Sequence, residues 1–231
     1  MQQLVLAMIA FVGTHFLMSH PLRAPLVGRL GENGFRALYS LVSLGTFGWA
    51  VMAFRAAPAT APLWAVGDGL WALASLLMLE GAILFTGSLI GNPAMPAPGA
   101  EKLAVQPARG VFQITRHPMM WGFALWAIAH ALVAPYAAQL VLTAGILILA
   151  LGGSAGQDRK KAALMGSAWK DWSARTSFLP YARQLTGKAL WATGWPGLRL
   201  VLIGTVIWLG ATYVHPMLGA PTAGIWVWLH P

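Results

Sequence analysis

The residues of this chain best suited to chemistry are concentrated between Ile114 and His130. Arg116 and His117 stand side by side, Pro118 can start a helix, and His130 follows within the same apolar stretch. Ionisable groups are costly inside a membrane, so a cluster of them in an apolar chain indicates a functional site. These residue types allow metal ligation by imidazole and anion binding by guanidinium.

Another histidine, His15, lies inside a separate apolar run. Two embedded histidines on different helices, such as His15 and His130, are what a helical bundle needs to hold a haem between them. The alternative is that each imidazole donates a hydrogen bond to a carbonyl group of a neighbouring helix. His117 and His130 are 13 residues apart, which places them on roughly opposite sides of one helix. We therefore do not expect these two to bind the same metal.

The helix start at Pro118 allows two interpretations. Proline is favourable in the first turn of a helix, and a basic pair before it anchors the helix at the membrane boundary. Alternatively, the free amide N–H groups of the helix start and Arg116 form a site for an anion, such as a cofactor phosphate or a haem propionate. In a third apolar run, Glu80 is expected to be protonated or paired with an arginine or histidine.

The composition predicts an integral membrane protein. Of the 231 residues, 58% are hydrophobic and 9% are charged, whereas a soluble domain carries about 25% charged residues. The formal net charge of +9 lies between the apolar runs, a pattern that sets orientation in a membrane and does not indicate nucleic-acid binding. Because the chain has no cysteine, disulfides, thiolate metal sites and covalently attached haem are excluded. No hydrolase or nucleotide-binding motif occurs.

Helices must position these side chains, and the apolar segments predict an all-α bundle of about six transmembrane helices. Loops one, three and five are basic, while loops two and four are nearly uncharged. The positive-inside rule therefore places the basic loops in the cytoplasm and both termini outside. We expect a single domain over 1–231, surrounded by the lipids of the bacterial inner membrane. The predicted spans are 3–20, 35–54, 69–90, 118–134, 136–153 and 198–216.

Segments outside these spans carry predictions of their own. Residues 158–173 have the pattern of an amphipathic helix at the membrane surface, and residues 92–110, with four prolines, predict an irregular loop. The tryptophan-containing segment 225–229 is typical of the membrane interface, and His230 is expected to be free. Residues 1–20 lack a basic leader and a cleavage site, so we expect a retained helix rather than a signal peptide.

Several motifs occur together in an order that resembles the NnrU family. They are Gly13-Thr14-His15, Gly31-Glu32, Gly34 through Tyr39, Ile114 through Pro118, Ala129-His130, Asp158-Arg159-Lys160, Gly166, Trp169, Trp172, Arg175-Thr176-Ser177, Pro180 and Val214-His215-Pro216. The resemblance implies a membrane protein associated with denitrification and linked to nitrite and nitric oxide reduction. Related plant and cyanobacterial isomerases of 15-cis-ζ-carotene use haem b, held by histidines on separate helices.

For this chain, the resemblance implies haem b with His15 and His130 as the cofactor-binding residues and metal ligands. It also implies that Arg116 and His117 are catalytic residues, on the cytoplasmic side of the site. Ala127 stands where the plant isomerases have a cysteine implicated in ligand switching, so this chain has no such thiol switch. The expected function is haem-dependent redox or isomerase chemistry on an apolar small molecule or on nitric oxide.

Other interpretations remain open at this stage. His15 and His130 lie at different depths of the predicted bundle, so that His15 with His117, or His130 with His215, are rival ligand pairs. The Arg-His-Pro motif also resembles isoprenylcysteine carboxyl methyltransferases, which bind S-adenosylmethionine at the cytoplasmic face; Gln157-Asp158 stand where those enzymes have paired glutamates. A non-enzymatic haem sensor or assembly factor is the third hypothesis.

Overall fold

A computed structural model describes residues 1–95 and 99–229, and this part of the chain is all-helical. Among the described residues, five helices are long and apolar enough to cross a membrane, and a shorter apolar helix of 16 residues packs among them. The predicted helical membrane bundle of about six spans is thus confirmed. The helices are α1 Gln2–Ser19, α2 Arg23–Arg55, α3 Asp68–Gly87, α4 Ala100–Ala104, α5 Pro118–Val133, α6 Ala137–Met165, α7 Ser167–Arg175, α8 Ala182–Leu185, α9 Leu198–Val214 and α10 Trp226–Leu229, with 3-10 turns at Gly110–Gln113, Trp191–Gly194 and His215–Leu218.

Helix α2 begins well before the predicted span at 35–54, and a kink divides it. The kink lies at Gly31, whose φ of 69° favours glycine because it has no Cβ atom. Before the kink, Arg23 forms an exposed ion pair with Glu32, at 2.9 Å between Arg23 Nη2 and Glu32 Oε1. The kink therefore separates the charged first part of α2 from the apolar part that follows it.

Helix α6 continues beyond its predicted span at 136–153 and ends at Met165. Its last turns and α7 make up segment 158–173, and the prediction of one surface helix there is wrong in two respects. Gly166, with a φ of 54°, separates two helices. Trp169 and Trp172 are only 1% and 2% exposed, because they pack in a protein core with Phe112 and do not face lipid. An amphipathic pattern does not distinguish a face that meets lipid from one that meets protein.

Loops three and five meet at one end of the bundle, which we call the basic end. Lys161 Nζ, on α6, donates hydrogen bonds to the carbonyl oxygens of Pro93 and Met95 at 2.9 and 3.0 Å. Arg175, on α7, donates to the carbonyl oxygen of Gln106 at 3.0 Å. These bonds organise the loop predicted to be irregular at 92–110, which contains the short helix α4; residues 96–98 lie outside the described part of the chain.

The two uncharged loops meet at the other end, which we call the neutral end. The Leu63 N–H group donates to the carbonyl oxygen of Pro135 at 2.8 Å, and Trp64 Nε1 donates to that of Leu132 at 2.9 Å. Segment 225–229 is also at this end, since Trp228 Nε1 donates to Asp68 Oδ1 at 3.3 Å. The contacts between loops thus follow the alternation of charge along the sequence. His230 lies outside the described residues.

Two glycines allow α3 and α5 to pack closely. A Cβ atom placed on Gly122 would lie 3.0 Å from the carbonyl oxygen of Gly81 and 3.1 Å from the Cβ atom of Phe85. Small residues at a helix contact let two backbones approach within a membrane. This contact fixes the position of α5, which carries His130 and directly follows Arg116 and His117.

Candidate functional site

A polar cluster at the basic end connects the start of α5 to α6. The Asp158 carboxylate accepts hydrogen bonds from Arg116 Nε at 3.0 Å and from Arg116 Nη2 at 2.5 Å. It also accepts one from His117 Nε2 at 2.8 Å, and the His117 side chain is 0% exposed. Charge-assisted, two-pronged pairing of this kind is strong and directional. Arg116 is therefore already neutralised by a carboxylate of the chain itself.

Segment 176–181 holds this cluster in place. Thr115 Oγ1 donates a hydrogen bond to the Phe178 carbonyl oxygen at 2.7 Å, and Trp121 Nε1 donates to the same oxygen at 2.8 Å. The Arg116 backbone N–H group donates to the carbonyl oxygen of Ser177 at 2.8 Å. The start of α5 is thereby joined to two distant parts of the chain, and its polar backbone groups find partners within the protein.

Glu80 has a partner that the sequence did not indicate. Tyr181 Oη donates a hydrogen bond to Glu80 Oε1 at 2.8 Å. Of the two alternatives for Glu80, pairing with an arginine or histidine is therefore wrong, and protonation stays a prediction. Tyr181 follows Pro180 of the family motifs and adopts a φ of 58°, unusual for a residue with a side chain. Burial raises the pKa of the Tyr181 phenol, and the nearby Glu80 carboxyl group raises that pKa further. The pair attaches the segment after α7 to α3.

His15 lines a cavity of about 410 Å³ that lies among α1, α2, α5 and α6; we call it the basic-end cavity. His15 Nδ1 lies 2.6 Å from the carbonyl oxygen of Phe11, and the carbonyl can only accept, so Nδ1 carries the proton. The His15 ring also makes edge contacts with the rings of Phe11 and Tyr39, with ring centres 4.4 and 5.4 Å apart. His15 Nε2 is left as the nitrogen with a lone pair.

His130 lines a second cavity, of about 460 Å³, which we call the neutral-end cavity. His215, directly after α9, lines the same cavity, and the two imidazole centres are 6.1 Å apart. His130 Nδ1 donates to the carbonyl oxygen of Trp126 at 2.9 Å, and His215 Nδ1 donates to that of Pro221 at 2.7 Å. Both imidazoles therefore have their Nε2 lone pairs available, the arrangement in which histidine binds metals.

Two further polar atoms of the neutral-end cavity have no partner among the described residues. They are Ser75 Oγ and Trp208 Nε1, both buried and both on residues that line the cavity. A buried polar atom without a hydrogen bond costs about 1–3 kcal/mol, so native proteins rarely leave one unpaired. The rest of the wall is mostly apolar, and the Trp126 ring stacks on His130 with centres 4.1 Å apart. A mostly apolar wall with two imidazoles fits a largely apolar ligand.

The structure brings some of the predicted site residues together and separates others. Arg116 and His117 share Asp158 at the basic end, whereas His130 and His215 share the neutral-end cavity. His15 and His130 line different cavities. No group of three or more His, Asp or Glu side chains suited to a metal occurs among the described residues.

Sequence reasoning missed the roles of Asp158 and Tyr181. The signal for Asp158 was available, because the only two acidic side chains in the basic stretch 154–197 are Asp158 and Asp171. A buried arginine–histidine pair needs a carboxylate partner, and Asp158 is the one that α6 brings beside α5. For Tyr181 no sequence signal existed, since its partner Glu80 lies 101 residues away.

The polar cluster of Arg116, His117 and Asp158 joins α5 to α6, and we call it the polar junction. The bundle, this junction and the cavity lined by His130 and His215 define a polytopic helical membrane protein. The chain belongs to the NnrU family: the family model described as NnrU protein matches residues 3–222. The family that the sequence motifs resemble is thereby confirmed.

Two curated plant proteins are similar to part of the chain. The chloroplastic 15-cis-zeta-carotene isomerase of Zea mays is 30% identical over 114 residues, which are 48% of this chain and 31% of the maize protein. The protein of the same name from Arabidopsis thaliana is 29% identical over 112 residues, which are 47% of this chain and 30% of that protein. The matched region thus spans under a third of either relative. No solved structure gives a significant match.

Proposed function

We propose that this protein binds haem b in the neutral-end cavity and performs haem-dependent chemistry on an apolar molecule. The observation that carries the proposal is the pair His130 and His215. Their ring centres are 6.1 Å apart, and each has Nδ1 bonded to a carbonyl oxygen. Two imidazoles that share one metal have a centre-to-centre separation of roughly 6 Å, given metal–nitrogen bonds of about 2 Å.

The chemistry of the cavity fits this group. The apolar wall provides the low-polarity surroundings that tune a haem. When bound, the haem would supply a redox-active iron. The protein would contribute ligand orientation through the Trp126 and Pro221 carbonyl oxygens and would exclude water from the iron.

The ligand pair His15 and His130 remains a prediction, and the location of His15 in the basic-end cavity favours His215 as the second ligand. Arg116 and His117 then act at the polar junction of α5 and α6, and not on the iron. Within this proposal, they are positioning residues: they fix the basic end of α5, the helix that carries His130 near its other end.

The substrate class that we propose follows from the two plant relatives and from the wall of the neutral-end cavity. Both are 15-cis-zeta-carotene isomerases, and a wall of tryptophan, methionine and aliphatic side chains suits a long unsaturated hydrocarbon. We therefore propose a cis–trans isomerisation of a polyene as the activity. A role in denitrification, in which the iron binds nitric oxide, is the alternative proposal that the family resemblance implies.

Absorption spectra of the detergent-purified protein, reconstituted with hemin and then reduced with dithionite, test the proposal. Sharp α and β bands are expected for the wild type and for His15→Ala, and both His130→Ala and His215→Ala should lose them. If His15→Ala loses the bands and His215→Ala keeps them, the iron ligands are His15 and His130, and not His130 and His215. The absence of a haem band in the wild type would refute haem binding, and S-adenosylmethionine binding would be measured next.

Spectra alone do not distinguish an isomerase from a sensor. Anaerobic incubation of the reduced protein with 15-cis-ζ-carotene, followed by chromatographic separation of isomers, tests the enzymatic proposal. A changed isomer ratio that His130→Ala abolishes is expected. An unchanged ratio, combined with a shift of the haem bands on addition of nitric oxide, would instead support gas binding.

A further inference from the structure

The lining of the basic-end cavity changes from apolar to polar along two helices. On α6, the cavity is lined at helical spacing by Ile146, Leu149, Gly153, Gln157 and Lys160. From Ile146 to Lys160 the stripe spans 14 helical steps, or about 21 Å at 1.5 Å per residue. The side chains are apolar at one end of the stripe, and they are an amide and an ammonium group at the other.

Helix α1 and the residue after it show the same gradient on the opposite wall. Phe11 and Phe16 precede Ser19 and His20, and all four line the cavity. Because α1 and α6 both reach the basic end with these polar residues, the polar groups lie together at the mouth. The cavity is thus long, apolar within the bundle and cationic at its mouth.

Among the described residues, Lys160 forms no ion pair with a carboxylate, although the charges of Arg23 and Glu32 both act on it, in opposite directions. Glu32 forms its ion pair with Arg23, and Asp158 forms its pairs with Arg116 and His117. The positive charges of Lys160 and Arg159 also act on His20: burial lowers the pKa of His20, and these two charges lower it further. An anion at the cavity mouth would therefore be attracted by the positive charges of Lys160 and Arg159.

We propose that the basic-end cavity binds a long-chain fatty acid, with its carboxylate at Lys160 and its hydrocarbon chain between α1 and α6. The volume of about 410 Å³ falls within the range of small-ligand sites, and a single chain matches its elongated lining. A two-chain phospholipid would have to leave one chain outside the cavity. This site is separate from the neutral-end cavity and does not depend on the haem proposal.

The glycines of α6 provide a way to fill this cavity. Gly153 lines it, and a Cβ atom there would have no atom within 4 Å. Gly153→Phe therefore places a ring in the cavity without a clash of its first side-chain atom. By contrast, a Cβ atom on Gly156 would lie 2.4 Å from His20 Nε2, so that position is unsuitable. Gly45, an exposed residue of α2 that also has nothing within 4 Å, is the matched control.

Native mass spectrometry of the full chain with added oleic acid counts bound molecules directly. One oleate per protein is expected for the wild type and for Gly45→Phe, and none for Gly153→Phe. Lys160→Gln should weaken binding about tenfold, the loss of one charge-assisted hydrogen bond. Methyl oleate, which has the same chain without the charge, should bind about as weakly to the wild type as oleate binds to Lys160→Gln.

Three results would overturn the proposal. Undiminished binding to Gly153→Phe would place the oleate elsewhere on the protein. Equal binding of oleate and methyl oleate would show that the site selects the chain and not the headgroup. Displacement of oleate by an equimolar two-chain anionic phospholipid would assign the cavity to a membrane lipid. Lys160→Gln keeps the test decisive if Gly153→Phe does not fold, because its substitution lies at the cavity mouth.

Discussion

The Asp158 carboxylate holds His117 at the first turn of α5 through a 2.8 Å hydrogen bond from His117 Nε2 to Asp158 Oδ1. Since Asp158 also binds Arg116, one carboxylate on α6 balances two basic groups at the start of α5. The side chains of Arg116 and Asp158 are 14% and 19% exposed. In such a shielded position, the removal of either partner leaves an unbalanced charge.

Asp158→Ala should destabilise the protein by about 2–3 kcal/mol, somewhat less than the roughly 3–5 kcal/mol typical of fully buried pairs. Arg116 and His117 would keep their buried positions without an acceptor. Thermal unfolding in detergent, followed by circular dichroism, measures the effect. Glu32→Ala is the control, because its exposed pair with Arg23 should contribute less than about 1 kcal/mol. If Asp158→Ala and Glu32→Ala lower the stability by the same amount, the polar junction has no special structural role.

Gly122→Val should lower the unfolding temperature by several degrees, because a side chain there meets the Gly81 carbonyl oxygen at 3.0 Å and forces α3 and α5 apart. Gly45→Val is the control, since a Cβ atom at Gly45 contacts nothing within 4 Å. The two variants differ only in the helix contact and can be compared by the same thermal assay. An unchanged unfolding temperature for Gly122→Val would show that this helix contact is not required.

Tyr181→Phe should cost about 1–3 kcal/mol, because Glu80 loses its hydrogen-bond donor in a half-buried site. In the double variant Tyr181→Phe with Glu80→Leu, the cost of the tyrosine change should shrink, because no carboxyl group is left unpaired. A double-mutant cycle of unfolding free energies measures this coupling. Additive effects would contradict a direct interaction between the two side chains.

The same pair predicts a loss of stability at high pH. The pKa of Tyr181 in the folded protein is raised above its ordinary value of about 10. The stabilisation from its protonated phenol is therefore fully present below about pH 10 and is lost as the pH rises towards the folded-state pKa. Unfolding temperatures measured across this alkaline range should fall more steeply for the wild type than for Tyr181→Phe.

Lys161→Met should release the loop at 92–95, since it removes the donor to the Pro93 and Met95 carbonyl oxygens. Faster hydrogen exchange and faster proteolytic cleavage of this loop are expected, with little change in the helical signal. Lys170→Met, at an exposed position of α7, is the matched control and should leave the loop protected. If both variants behave alike, the loop is held by other contacts.

The sequence was sufficient for the features that depend on local composition. The six apolar segments correspond to six helices, and basic and uncharged loops occupy opposite ends, because hydropathy and charge are read from short windows. The family motifs likewise located Arg116 and His117 at the start of α5.

The features that the sequence did not reveal depend on contacts between distant residues. Trp169 and Trp172 have the spacing of a membrane-facing stripe, but the folding of loop three over them makes them a core. His130 and His215 become neighbours only because α5 and α9 both end at the neutral end, a consequence of topology that no local pattern records. The sequence does place His15 and His130 at different depths of the predicted bundle, and for that reason it offers His130 with His215 as a rival pair of metal ligands.

The length of α6 has a consequence for the way the protein responds to its bilayer. Its 29 residues make a rod of about 44 Å, whereas the hydrocarbon layer is about 30 Å thick. About 14 Å, with Asp158 and Lys161, therefore extends beyond the hydrocarbon as a rigid continuation of the spanning part. A thicker bilayer would submerge more of this rod and bring the polar junction towards the headgroups as a unit. The height of the basic end above the lipid is thus set by membrane thickness, while its internal bonds are not.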